Sequence, residues 1–241
     1  MVDILVNSPD PRTNPEPAAA VVASPRAVRR RLPVAERERQ IVAAAIEYFS
    51  EHGFAAQLRD LASAIGVAHT LVYHYFPTKQ ALVDRVYLEV IVGRWKPEWE
   101  TLLDHRSLPV PEKLTRFYCD YSRTVLTREF VRILVFSGLT DRSITDRFFT
   151  MLGERLFPRL IRETRKFRGS RSRGQPSTRE HELLMGLHGG FFYGGVRRFV
   201  YGLDRTDEPA LDDVTIVADR VHSYLDASRS LGLVRAVERA C

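Results

Sequence analysis

The sequence predicts an all-α protein of about nine helices, and three observations carry that expectation. From residue 34 onward apolar residues recur every three to four positions, the repeat of one helix face. Gly or Pro opens or closes most of these runs, as helix boundaries require. Alternation with a period of two, the mark of a half-buried strand, is scarce, and no internal repeat occurs.

Residues 1–33 hold six of the thirteen prolines (Pro9, Pro11, Pro15, Pro17, Pro25, Pro33) and no periodicity. A disordered arm is expected there, ending in the basic cluster Arg26, Arg29, Arg30 and Arg31. The first helix carries Ile41, Val42, Ala45, Ile46 and Phe49 and stops at Gly53. Leu58 to Ile65 is a short second helix closed by Gly66; Ala68 to Tyr75 is a third, closed by Pro77. Thr78 caps a fourth, with Leu82, Val83, Val86 and Val90 inward, broken near Pro97. Pro111 opens the next, with Leu114, Phe117, Tyr118, Tyr121 and Val125 on one face. Helices near 128–138 and 142–168 follow, then a Ser/Gly/Arg loop from Gly169 to Pro176. Ser177 and Glu180 fit a capping box, each satisfying a backbone N–H that a helix start leaves unpaired, for a helix reaching about Tyr201. The last helix carries Val214, Val217, Ala218, Val221, Tyr224 and Leu225.

Composition narrows the function classes. Of 241 residues, 44% are apolar and 27% charged, enough to bury a core. The only cysteines, Cys119 and Cys241, exclude a disulfide framework and a zinc site built of three or four thiolates. No apolar run approaches the roughly 18 residues of a membrane span, and Met1 to Pro11 lacks a signal pattern, so a soluble, cytoplasmic protein is expected. No metal or cofactor is expected. The net charge of +6 is unevenly spread: residues 34–99 are net −1, and residues 100–168 net +5.

Residues 34–80 carry the functional signal. Two very short helices joined by Gly66-Val67-Ala68 have helix-turn-helix punctuation, with a Gly in a tight turn and a Val after it. Such a unit lays its second helix in the DNA major groove. With Val67, Val72 and Phe76 inward, His69, Thr70, Tyr73 and His74 point outward, a nearly chargeless face rich in hydrogen-bonding groups. Leu71 is core, or packs on a thymine methyl.

Gly53-Phe54, Leu58-Arg59-Asp60-Leu61-Ala62, Gly66-Val67, Val72-Tyr73-His74-Tyr75-Phe76, then Lys79 and Leu82, together resemble the DNA-binding domain of the TetR family of transcriptional regulators. The resemblance covers about fifty residues. By position it implies that Tyr73, Tyr75 and Lys79 contact phosphates, that His69, Thr70, Leu71 and His74 face bases, and that Arg59 is a backbone or base contact. Ala68 stands where the family usually has Ser, Thr70 where Gly is frequent, and Gln57 where a Ser/Thr cap is expected. Because the domain itself is slightly acidic, the arm with Arg29, Arg30 and Arg31 is expected to supply phosphate attraction, in the minor groove or along the backbone.

The resemblance implies that residues 81–231 form a helical ligand-binding and dimerisation domain, with 232–241 a tail. Tyr118, Tyr121, His188 and Phe192 are the expected pocket residues among many core aromatics. Gly186, Gly190 and Gly194, with Gly189 and Gly195 beside them, suggest close backbone approach at a dimer interface, joined by Val217, Val221 and Tyr224 of the last helix, or else a kink beside a pocket. Arg155, Arg159, Arg162 and Lys166 read as one solvated helix face.

No enzyme is expected. His181-Glu182 begins a zinc-protease H-E-x-x-H pattern, but Met185 stands where the second His must be. The function expected is a ligand-responsive regulator, a repressor binding a two-half-site DNA operator as a homodimer and released by a small-molecule effector, with the helix after Thr78 as lever. The alternative is a helical small-molecule-binding protein without a DNA role.

Overall fold

A computed structural model describes residues 33–203 and 210–232. Those residues form eleven α-helices and two 3-10 turns, with no strand among them. In order they are α1 (Val34–His52), α2 (Leu58–Ala64), α3 (His69–Tyr75), α4 (Lys79–Val90), α5 (Pro97–Asp104), α6 (Val110–Thr124), α7 (Arg128–Gly138), α8 (Ser143–Arg155), α9 (Phe157–Phe167), α10 (Thr178–Phe199) and α11 (Val214–Arg229). The basic arm, Arg26 to Arg31, lies outside the described residues, as does the tail beyond Gly232.

Two local events raise the expected nine helices to eleven. Pro97 does not simply break the preceding helix; it occupies the first turn of α5, where a missing N–H costs nothing. The helix expected over 142–168 divides at Leu156, because Pro158 has no N–H to continue the ladder and its ring fits only a helix start. Arg155 therefore ends α8, while Arg159, Arg162 and Lys166 belong to α9, so the expected single face does not exist. These cations are instead spent on acids: Arg155 and Arg159 meet Glu100 at 2.5 and 2.7 Å, Arg162 pairs with Asp104, and Lys166 with Glu163 at 2.6 Å.

The caps follow the sequence closely. Ser177 Oγ accepts the Glu180 N–H at 3.2 Å and Glu180 accepts the Ser177 N–H at 2.9 Å, completing the box. Thr78 Oγ1 accepts the Ala81 N–H at 3.1 Å. At α2 the Asp60 carboxylate accepts the Gln57 N–H at 2.9 Å.

The bundle core is aromatic. Trp99, Phe117, Tyr118, Tyr121 and Phe191 are all nearly sequestered from solvent and meet ring to ring, mostly edge-on, the arrangement favoured by the ring quadrupole. Beside it lies a buried ion pair. The Lys113 ammonium bonds Glu163 and the carbonyls of Leu103 and His105, at 3.2 and 2.9 Å, so all three of its donors are used. Burial raises the Glu163 pKa, but hydrogen bonds from Lys113, Lys166 and Arg162 outweigh it and hold the carboxyl below the usual range.

From Val34 on the chain forms one compact unit. Helix α1 lies against α4 and α7. At its end Gly53 adopts φ +68°, and a Cβ there would stand 2.9 Å from the Phe136 ring, so this glycine serves both the turn and the close approach of α7.

Candidate nucleic-acid interface and effector pocket

Helices α2 and α3 meet through a turn built as the sequence suggested. Gly66 takes φ +69°, a left-handed conformation that costs a side-chain-bearing residue about 1–2 kcal/mol. The Val67 N–H then returns to the Ala62 carbonyl at 3.0 Å, closing the turn. Leu61, Ala62, Val72 and Phe76 anchor both helices in the core, with Val72 fully buried. That burial fixes the rotation of α3 and leaves His69, Thr70, Tyr73 and His74 exposed along its other side. Tyr73 is 45% exposed, and its ring meets His69, one turn earlier, edge-on at 6.4 Å. Leu71 and Tyr75 are half-buried; Ala68, at the helix N-cap, and Arg59, on α2, are exposed. Ala68 supplies no side-chain cap.

Lys79 has a partner within the chain. Its ammonium donates to the Phe54 carbonyl and is half-buried, so it ties the start of α4 to the turn before α2. No local sequence pattern reports a contact spanning twenty-five residues.

Residues 41–86 match the family model described as bacterial regulatory proteins, tetR family. That segment is a TetR-family DNA-binding segment. The fold is that of a DNA-binding transcriptional regulator. A TetR-like transcriptional regulator from Rhodococcus sp. RHA1 is similar in structure, with a TM-score of 0.59 and 19% identity over 83% of this chain and 100% of the other. The fatty acid degradation regulator FadR from Bacillus halodurans gives 0.58 and 18%, over 78% and 94%. A TetR family transcriptional regulator from Pseudomonas syringae pv. tomato str. DC3000 gives 0.51 and 19%, over 83% and 97%. At these identities the likeness is one of fold. No curated protein matches the chain in sequence.

Within the bundle, three of the four expected pocket residues come together. Tyr118 and Tyr121 on α6 face His188 on α10, with ring centroids 6.1 and 5.3 Å away, and the Tyr121 hydroxyl lies 3.4 Å from His188 Nε2. Phe192 is half-buried to one side; its neighbour Phe191 takes the expected place, stacked on Tyr118 at 4.3 Å. Pattern alone could not separate adjacent phenylalanines on a helix whose faces are both apolar. The cluster contains three buried polar atoms with no hydrogen-bond partner: Tyr118 Oη, His188 Nδ1 and, one turn along α6 from Tyr118, Ser122 Oγ. Burial lowers the His188 pKa to about 4, so the imidazole is neutral at pH 7. Burial also raises the Tyr118 and Tyr121 hydroxyls, and the cluster carries no charge.

The expected interface residues divide. Val217, Val221 and Tyr224 face inward, and Tyr224 bonds Thr164 at 2.8 Å inside the bundle. They belong to the core because the α11 stripe they form covers α6. Gly194 is also internal, since a Cβ there would meet Leu211 at 3.0 Å. Gly186 and Gly190 have open space in front of them, and Tyr193 is 55% exposed nearby. Asp219, His222, Ser223 and Asp226 form the outward side of α11.

No helix among the described residues is long and apolar enough to cross a membrane. Nor do the described residues contain a group of three or more His, Cys, Asp or Glu able to hold a metal ion.

Proposed function

We propose that this protein is a ligand-responsive repressor that binds a two-half-site operator as a homodimer and is released by a small molecule. The observation that carries the reading is the exposed row His69, Thr70, Tyr73 and His74, opposite the buried Val72 on α3. Phenol and hydroxyl groups there donate to phosphates, and imidazole and threonine side chains reach base edges. With Arg59 exposed on α2 and Asp60 exposed next to it, the arm Arg29, Arg30 and Arg31 supplies the remaining attraction to phosphate.

Dimerisation uses the outward sides of α10 and α11. Gly186 and Gly190 admit a second backbone, and the polar side of α11 flanks them. Two copies so joined hold two α3 helices at the spacing of one DNA turn, about 34 Å. The effector enters the cluster of Tyr118, Tyr121 and His188, where three unpartnered polar atoms and a wall of rings favour a largely apolar molecule. It acts through the difference in its affinity for the two arrangements of the reading heads.

A mobility-shift assay tests the reading with the full chain and DNA from upstream of its own gene. A retarded band is expected below about 10 μM, where non-specific binding begins. Tyr73→Ala with His74→Ala should abolish it while leaving the thermal midpoint unchanged. Absence of a band for the unaltered protein would favour a helical binding protein with no DNA role.

A further inference from the structure

Two features of the bundle share a single wall. On one side, α9 and residues 169–176 enclose a groove of about 1170 Å³ bearing Arg162, Lys166, Arg171 and Arg173, with Phe157 and Ile161 among its apolar residues. Residues 154–182 hold nine Arg and Lys against four Glu, and even with Glu100 and Asp104, which pair with Arg155, Arg159 and Arg162, positive charge stays in excess. Arg171 and Arg173 are exposed and meet no carboxylate among the described residues.

The loop that carries them is preformed. Arg165, buried beneath it, donates to the carbonyls of Ser172, Gly174 and Gln175 at 3.4, 2.7 and 3.2 Å. The same guanidinium grips both Glu180 oxygens at 2.8 Å. A loop already held in shape loses little entropy when it binds.

On the other side lies the uncharged cluster of Tyr118, Tyr121, Phe191 and His188. The Phe157 ring separates the two. It meets His181, a groove residue, edge-on at 6.2 Å, and His188, an inner residue, edge-on at 5.5 Å. Only 8% of Phe157 is exposed, so its ring alone stands between groove and interior.

We propose that the basic groove and the inner aromatic cluster are the two ends of one site, for an elongated amphiphile with a phosphate or carboxylate head. The arginine forks suit a planar or tetrahedral oxyanion. The tail displaces Phe157 and lies among rings that accept no charge, where a neutral polar group finds the partnerless Tyr118 Oη, Ser122 Oγ and His188 Nδ1. The site also bears on the reading heads. Its loop is clamped to Glu180, in the first turn of α10, and the last turn of α10 presents the Phe199 carbonyl to Arg132, which also holds α1. This site rests on the ligand-responsive reading given above.

Calorimetric titration of the full chain tests it, with dodecyl phosphate, dodecanoate, dodecanol and inorganic phosphate as probes, all below micellar concentration. At least one anionic amphiphile should bind about tenfold or more tighter than dodecanol and than inorganic phosphate. The preference between dodecyl phosphate and dodecanoate identifies the head. Arg171→Ala with Arg173→Ala should remove that advantage and leave dodecanol unchanged. Phe157→Trp should weaken every chain-bearing probe. Equal binding of dodecanol and the anionic amphiphiles, equal binding of free phosphate, or indifference to the arginine changes would overturn the proposal. The mobility shift without any probe separates the two readings: a retarded band with no amphiphile binding sinks this site alone, and loss of the band sinks the regulator reading whatever binds.

Discussion

Arg132 Nε donates to the carbonyl of Ser50 at 2.6 Å, joining α7 to the last turn of α1. The same guanidinium donates to the Phe199 carbonyl at 3.1 Å, at the end of α10, and reaches Glu51 at 3.5 Å. One side chain thus connects α1, α7 and α10. Both carbonyls sit where a helix runs out of its own donors.

Arg132→Met should therefore leave two helix-end carbonyls without that partner and cost about 1–3 kcal/mol. Operator affinity should fall with it, because α1 loses its tie to α7. Arg132→Lys should recover only part, since an ammonium lacks the fork that reaches both carbonyls. Denaturant unfolding and mobility shift measure the two effects; no change in either would remove the coupling role.

Glycine substitutions should rank by what surrounds them. At Gly66 an Ala meets open space and incurs only the left-handed backbone cost, about 1–2 kcal/mol. At Gly53 the same cost is joined by a 2.9 Å approach to the Phe136 ring. Gly53→Ala should be the more destabilising, and Phe136→Ala in that background should cost less than it does alone. Thermal unfolding of the four proteins decides this.

His188 predicts a pH window. Its folded pKa is about 4 against about 6.5 unfolded, so the unfolded chain binds the proton first as pH falls. Its contribution is complete above pH 6.5 and is lost progressively toward pH 4, by about 3 kcal/mol at most. His188→Gln should flatten the stability profile between pH 6.5 and about 5.5, above the range where most carboxylates titrate. A profile unchanged in that interval would show that the imidazole is not held neutral.

Lys113 and Glu163 should behave as a unit. Lys113→Met leaves the buried Glu163 carboxylate with only its Arg162 and Lys166 partners and should cost about 1–3 kcal/mol. Adding Glu163→Leu should recover most of that, because the remaining charge goes with it. Additive losses in a double-mutant cycle would contradict the pairing.

How much was legible in the sequence can be read from particular residues. Caps at Thr78 and Ser177, the turn at Gly66 and the buried Val72 were all visible, because each depends on neighbours within a few positions. The split at Leu156 was less visible, since Pro158 suits a helix start as well as it breaks a helix interior. The resemblance makes Lys79 a phosphate contact, and its bond to Phe54 was not legible because it spans twenty-five residues. Phe191 and Phe192 were indistinguishable by type, and Val217, Val221 and Tyr224 formed a stripe that could have faced a partner or the chain's own core.

By itself, then, the sequence determined the all-α class, most helix boundaries and the TetR-like reading segment, because hydrogen bonding within a helix and its caps is a local matter. Only the tertiary structure decided which apolar stripe met which. That choice rests on shape and burial between residues distant in the chain. It turned Val221 inward, placed Arg132 across three helices, and set Phe157 between a charged groove and an uncharged interior.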